Sequence, residues 1–207
     1  QEGCTAHPYL CGQDNCACMT LHANHQRKPL SVLLEESPQA FKFSTQRKHK
    51  DIELKENNTR AKCPIGYRLV LVEPSMSSNN PCRVVFKVNL FSGGVAVGMC
   101  LPNVVTSNGY LINGNFDCYA DLINHGIFAI FNNGACYNHG NHSTSTACKF
   151  SAGESVLVEW DGERRELRWA VLGSERRHAL TLPSQHLQAP LQFVAAMHNS
   201  DVSLISE

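Results

Sequence analysis

An antiparallel β-sandwich behind a short module with no core of its own is the fold class that the sequence predicts. Three observations lead there. Apolar and polar residues alternate with period two in one segment after another between residues 51 and 206; turn signals separate these segments at short intervals; and residues 4–25 hold cysteines and histidines in place of an apolar core. With 207 residues and 43% hydrophobic content, the chain can bury one full-sized core and carry one small module ahead of it.

The module comes first. In "CTAHPYLCGQDNCACMTLHANH" the candidate metal ligands are Cys4, His7, Cys11, Asp14, Cys16, Cys18, His22 and His25. A C-x-x-H pair at 4 and 7 and an H-x-x-H pair at 22 and 25 each bring two side chains to one point, as a tetrahedral zinc ion requires. Closed by protein ligands, such a site is structural, because its binding energy is folding energy for a segment too short to bury a core. The order of ligands resembles a B-box zinc finger over residues 4–36, including the tail "HQRKPLSVLLEE". Two spacings depart from that family. Three residues separate His7 from Cys11, and a single residue lies between Cys16 and Cys18. One structural zinc is therefore expected and a second is left open. No H-E-x-x-H or H-x-E acid stands beside the ligands, which makes a zinc hydrolase the weaker alternative. Cys16-Ala17-Cys18 is not the C-x-x-C of thiol redox chemistry.

"SPQAFKFSTQRKHK" then reads as a polar, basic connection, too short for a coiled coil. Strands follow. "DIELKEN" alternates Ile52 and Leu54 with charges, "YRLVLVE" comes next, and "RVVFKVNL" sets Val84, Phe86, Val88 and Leu90 on one side. "GGVAVGMC" is a continuous run of small apolar residues, as expected of a strand buried on both faces. "GIFAIFNNG" ends in an Asn133-Gly134 turn signal. In "SVLVEWDGERRELRWAV" a hairpin around Asp161-Gly162 places Val156, Val158 and Trp160 against Leu167, Trp169 and Val171, with both tryptophans in the core. "HALTL", "LQFVAAM" and "DVSLIS" complete the set. Helical periodicity is confined to "PLSVLLEES".

From residue 41 to 206 the order of these features resembles the SPRY domain. "FKFSTQRKHKDIELKENNTRAKC" is similar to that family's opening strands and their polar hairpin. "RVVFKVNLFSGGVAVGMC" is similar to its Y-x-E-V-K-I and I-G-I-G-V strands, with Gly94 and Gly98 in the matching places. "FSAGESVLVEWDGERRELRW" carries Phe150, Gly153, Val156, Val158, Asp161 and Leu167 of its most specific segment, with Glu154 for the usual Asp and Trp169 as the closing aromatic. The expected domains are a B-box-like finger over 1–36 and a SPRY-like sandwich over 37–207.

What this resemblance implies is a binding module without catalysis, presenting loops at the sandwich edge to a protein or peptide partner. The candidate loops are 75–82, 101–110, 114–121, 132–142 and 172–178. Tyr110, Tyr119, Asn133, Tyr137 and His139 are the expected partner-binding residues, the tyrosines as rigid anchors. A zinc finger before a SPRY domain is also similar to tripartite-motif ubiquitin ligases, but neither a RING finger nor a coiled coil is present in these residues, so substrate recognition is the part of that activity expected here.

Other classes recede. Eighteen Lys and Arg against eighteen Asp and Glu give no field toward nucleic acid or an anionic membrane. The start, Gln1-Glu2-Gly3, shows no signal segment and reads as a piece cut from a longer protein. Ten cysteines and two glycosylation sequons, at Asn57 and Asn141, leave a secreted, disulfide-linked lectin-like sandwich as the rival. The histidines among the cysteines argue against it and for a cytosolic or nuclear protein whose thiols are ligands or small buried hydrophobes.

Overall fold

The computed structural model describes residues 40–112, 124–139 and 144–205. The ligand set from Cys4 to His25, the stretch 29–37, the expected domain boundary, loop 114–121 with Tyr119, and residues 140–143 lie outside them. The strands are β1 (Lys42–Lys48), β2 (Glu53–Lys55), β3 (Arg60–Cys63), β4 (Arg68–Glu73), β5 (Cys82–Cys100), β6 (Ile127–Phe131), β7 (Ala135–Asn138), β8 (Thr144–Ser145), β9 (Ser155–Asp161), β10 (Glu166–Val171), β11 (Arg177–Thr181) and β12 (Gln192–Ile205). A short helix, α1 (Pro102–Ser107), follows β5. No described helix is long and apolar enough to cross a membrane.

Two long strands organise the molecule. Residues 82–87 of β5 pair with β9, which continues to β10 and then β11, whereas residues 96–100 pair with β6, which continues to β7 and β8. β12 runs antiparallel to β5 along both halves, and its two ends pair further with β4 and with β3. Two layers result: β11-β10-β9-β5-β12-β3-β2, called here the β9 layer, and β8-β7-β6-β5-β12-β4-β1, the β6 layer. The two long strands turn from one layer into the other around residues 91–93 and Asn199, where the register shifts between His198 and Ser200. "RVVFKVNL" and "GGVAVGMC" are thus parts of one strand, as are "QFVAAM" and "DVSLI". Bulges bend a strand without ending its ladder, so two alternating segments join through them.

The main core lies between the layers. Trp160, Trp169, Phe86, Phe128 and Phe193 are among its fully buried side chains. The Trp169 indole N–H of the β9 layer donates to the Val97 carbonyl of the β6 layer at 2.9 Å, so the ring both fills the core and joins the layers. Trp160 pairs with Leu167 and Trp169 with Val158, which makes the two tryptophans diagonal neighbours on one face. The turn between them is longer than Asp161-Gly162: Asp161 pairs with Glu166, leaving 162–165 as the connection. Gly162 belongs there because a Cβ would come within 2.5 Å of the Asn79 carbonyl.

In the β6 layer, residues 95–100 are buried without a break, as the apolar run predicted. Gly98 is required by that packing, since a Cβ on it would stand 2.0 Å from the Phe128 carbonyl oxygen of the adjacent strand. The outer face of this layer forms a second apolar cluster: Leu69, Leu71, Ala96, Cys100, Ile127, Ala129, Phe131, Val194 and Ala196 are covered by Val105, Tyr110, Leu111 and Tyr137. The opposite face of the molecule is different. On β9 and β10 the outward residues Glu159, Asp161, Glu166 and Arg168 are only half-buried, and Arg168 bridges Asp161 and Glu166.

β1 corrects the reading of its segment as a connection. Phe43 and Ser44 are buried side by side, because the register against β4 shifts between Phe43 and Lys48. The Ser44 hydroxyl donates to Glu73 and accepts from the Arg47 N–H at 2.9 Å, which holds the bulge. A strand bent in this way shows no period of two.

Candidate functional site

Of the loops expected at one rim, the described ones divide between two ends. Cys82 and Cys100, the two ends of β5, come to the same end of the sandwich, because the bridge between Met76 and Leu191 places loop 75–82 beside Gln192, the partner of Cys100. Loops 75–82 and 101–110 therefore share an end with 124–126. The β6–β7 turn with Asn133, and loop 172–178, lie at the other end, where the Arg176 guanidinium donates to the Lys149 carbonyl at 2.7 Å and pairs with Glu154. The Asn133 side chain accepts from the Ala135 N–H at 2.9 Å and shapes its own turn.

Loop 75–82 is built for support. The Ser78 carbonyl takes the Trp160 indole N–H at 2.8 Å, and the Ser78 hydroxyl donates to the Leu187 carbonyl at 2.7 Å. α1 starts at Pro102, whose fixed φ suits a first helical turn and whose missing N–H costs nothing there. Thr106 returns its hydroxyl to the Pro102 carbonyl at 2.7 Å, and Val105 turns inward to the outer cluster.

Tyr110 and Tyr137 are each only 7% exposed; their rings cover the outer face of the β6 layer. His139 sits among aromatic rings. Its Nδ1 accepts from the Gly126 N–H at 2.9 Å, and its ring lies 4.4 Å from His186, 5.8 Å from Phe128 and 6.3 Å from His125. Gly126, at φ +81°, lets this approach happen, for a Cβ would stand 2.9 Å from the Val104 side chain. Burial, and then the charge of His186, hold the His139 imidazole below its ordinary pKa. Two rings at this distance would repel each other if both were protonated.

A groove opens beside this end. Its volume is about 470 Å³, and it is lined by Gln46 and Arg47 of β1, Asn103, Thr106 and Ser107 of α1, and Leu111 and Ile112. Ile112 is 62% exposed, an apolar surface among amides and hydroxyls. Arg47 is held from behind: its Nη1 donates to Gln192 Oε1 at 2.8 Å, while Gln192 Nε2 donates to the Val72 carbonyl at 2.9 Å. The groove thus offers one cation, several neutral hydrogen-bonding groups and an apolar floor. Such a surface can hold a peptide backbone, seat an apolar side chain and face a carboxylate. Gln46, Arg47, His125 and His186 escaped sequence reasoning. Arg47 and Gln192 are 145 positions apart in the chain, and no local pattern announces their contact.

The described cysteines are chemically quiet. Cys63, Cys82, Cys100, Cys136 and Cys148 are free thiols. Burial pushes Cys82 up to about 12 and Cys136 up to about 11, far from the range of a nucleophile. Among the described residues no group of three or more His, Cys, Asp or Glu side chains is placed to hold a metal ion.

Solved structures resemble this architecture closely in topology and hardly at all in sequence. The SPRY domain of human HERC1 matches with a TM-score of 0.59 and 14% identity, covering 79% of this chain and 97% of that one. The fold is SPRY-like. The TRIM65 PSpry domain matches with a TM-score of 0.61 and 11% identity over 86% of this chain and 96% of that one. The Drosophila melanogaster Neuralized NHR1 domain has a TM-score of 0.54 and 12% identity over 81% and 98%. No protein-family profile and no curated protein sequence matches the chain. The likeness to SPRY and NHR domains is one of fold.

Proposed function

We propose that the chain is a non-catalytic recognition module that binds an extended peptide or a protein loop in the groove between β1 and α1. The observation that carries this reading is the pairing of a held cation, Arg47, with the exposed apolar side chain of Ile112 in one concave surface. The SPRY-like fold supports it, and so do the described thiols of Cys63, Cys100, Cys136 and Cys148, which are buried. Tyr110 and Tyr137 act from beneath: they fix α1 and residues 111–112, and the partner meets the groove above them. His139, beside His186, and the turn at Asn133 are secondary contacts at separate places. Residues 4–25 form the second part of the proposal, a B-box-like finger with one structural zinc, which together with the sandwich makes the substrate-recognition part of a ubiquitin-ligase-like protein in the cytosol or nucleus.

Peptide arrays followed by calorimetry on the full chain test the groove. Arg47→Glu and Ile112→Asp should each weaken the peptides selected by the native chain by at least about tenfold, with the thermal midpoint unchanged for Ile112→Asp, whose side chain is exposed. Peptides that bind both variants as tightly as the native chain would overturn the site. Elemental analysis tests the finger, which predicts zinc at one equivalent or more per chain.

A further inference from the structure

The layers end in four edge strands among the described residues, β1, β2, β8 and β11. Three are blunted against further pairing. β1 is broken by its bulge, β2 has three residues ending in Lys55, and β8 has two residues. β11 is five residues long, pairs with β10 without a register shift, and carries neither lysine nor proline.

Its hydrogen-bonding phase follows from the ends of the ladder. The Val171 N–H donates to the Arg176 carbonyl at 3.0 Å, and the Leu182 N–H donates to the Arg165 carbonyl at 2.9 Å. Hydrogen-bonded pairs alternate along an antiparallel ladder, so His178 and Leu180 also exchange bonds with β10. The N–H and C=O groups of Arg177, Ala179 and Thr181 therefore point away from the sheet, in register for another strand. The side chains of these three residues face solvent, while His178 and Leu180 are half-buried, with Leu180 packed on the main core from one side.

We propose that β11 receives an extended segment of a partner protein as an added strand. The segment has apolar residues alternating on its inward face, where they continue the core over His178 and Leu180, and a carboxylate level with Arg177. Charge picks this chemistry. Arg164, Arg168 and Arg176 are each held by carboxylates, on Asp161, Glu166 or Glu154, whereas Arg177 is exposed and has no carboxylate within ion-pair distance among the described residues. Backbone hydrogen bonds supply affinity, and the alternating side chains supply selectivity. This surface is separate from the groove between β1 and α1.

The probe is a nine-residue peptide alternating valine with threonine and carrying one glutamate, added to the ¹⁵N-labelled full chain. The amides of Arg177, Ala179 and Thr181 should shift and gain protection from hydrogen exchange. A copy of the peptide N-methylated at every second amide should not bind. Ala179→Pro removes one outward N–H at an edge position where proline is tolerated, and should weaken the peptide at least about tenfold. Arg177→Glu should weaken the glutamate peptide and favour one with lysine in its place. Ile112→Asp should leave all of this unchanged, so the edge and the groove can fail independently. Protection elsewhere, or none, overturns the proposal. Protection of the same amides without peptide, growing with protein concentration, overturns it in favour of a second copy of this chain.

Discussion

The two layers of the sandwich share two strands and one core, yet their outer faces are unlike. The β6 layer is buried on both sides, roofed by Val105, Tyr110 and Leu111, while the outward face of the β9 layer carries ion-paired side chains in water. Short loops suffice to finish the β9 layer. The β6 layer must recruit the segment after β5 as a cover, and covering a flat sheet with a short helix leaves a groove where helix and edge strand part. The difference locates the proposed binding site: the groove follows from closing a second core with irregular backbone.

Three changes would sharpen or break this contrast. The largest effect belongs to the interior that both layers use. Trp169→Ala removes a fully buried ring and its hydrogen bond across the core to the Val97 carbonyl, and should lower unfolding free energy by about 3–5 kcal/mol in urea titrations. A loss near 1 kcal/mol would mean that the layers are joined chiefly by β5 and β12.

Next come matched leucines on the two outer faces. Leu111→Ala, in the roof, should cost about 2–4 kcal/mol, whereas Leu157→Ala, half-buried on the wet face, should cost under about 1 kcal/mol. Equal losses would erase the distinction between the faces.

The smallest effect is electrostatic and appears on acidification. Burial raises the Asp201 pKa, but hydrogen bonds from Arg60 and Asn89 and the charge of Arg60 outweigh it, and the net shift is downward. A carboxylate whose folded pKa is depressed adds stability above its unfolded pKa and loses it as pH falls through the folded value. Arg60→Ala should therefore narrow the gap between native and variant urea midpoints as pH drops from about 6 to about 3. A gap independent of pH would show that Arg60 acts through packing alone.

Local pattern made much of the fold legible. Val156, Val158 and Trp160, and Leu167, Trp169 and Val171, line one face because side chains of a strand alternate, and this holds whatever the strand packs against. The unbroken burial of residues 95–100 was readable from a continuous run of small apolar residues, which a strand covered on both faces requires. β1 was not readable from periodicity, since its bulge destroys the period, and only the SPRY resemblance pointed to an opening strand there; the joining of two segments into β5 was not readable either. Tyr110 and Tyr137 show the limit on the functional side. The letter of a tyrosine does not say how far its ring is buried, and both are only 7% exposed.

The sequence by itself determined a mainly β chain, the inward faces of β9, β10 and the second half of β5, and the turn at Asn133-Gly134. These depend on neighbours within a few residues, where steric and hydrophobic periodicity is written directly. Tertiary structure alone decided which loops share an end, that Arg47 leans on Gln192 to form a groove with α1, and that β11 is left with an open edge. Each of these depends on residues brought together from distant parts of the chain, and a contact of that kind leaves no period in either partner's own segment.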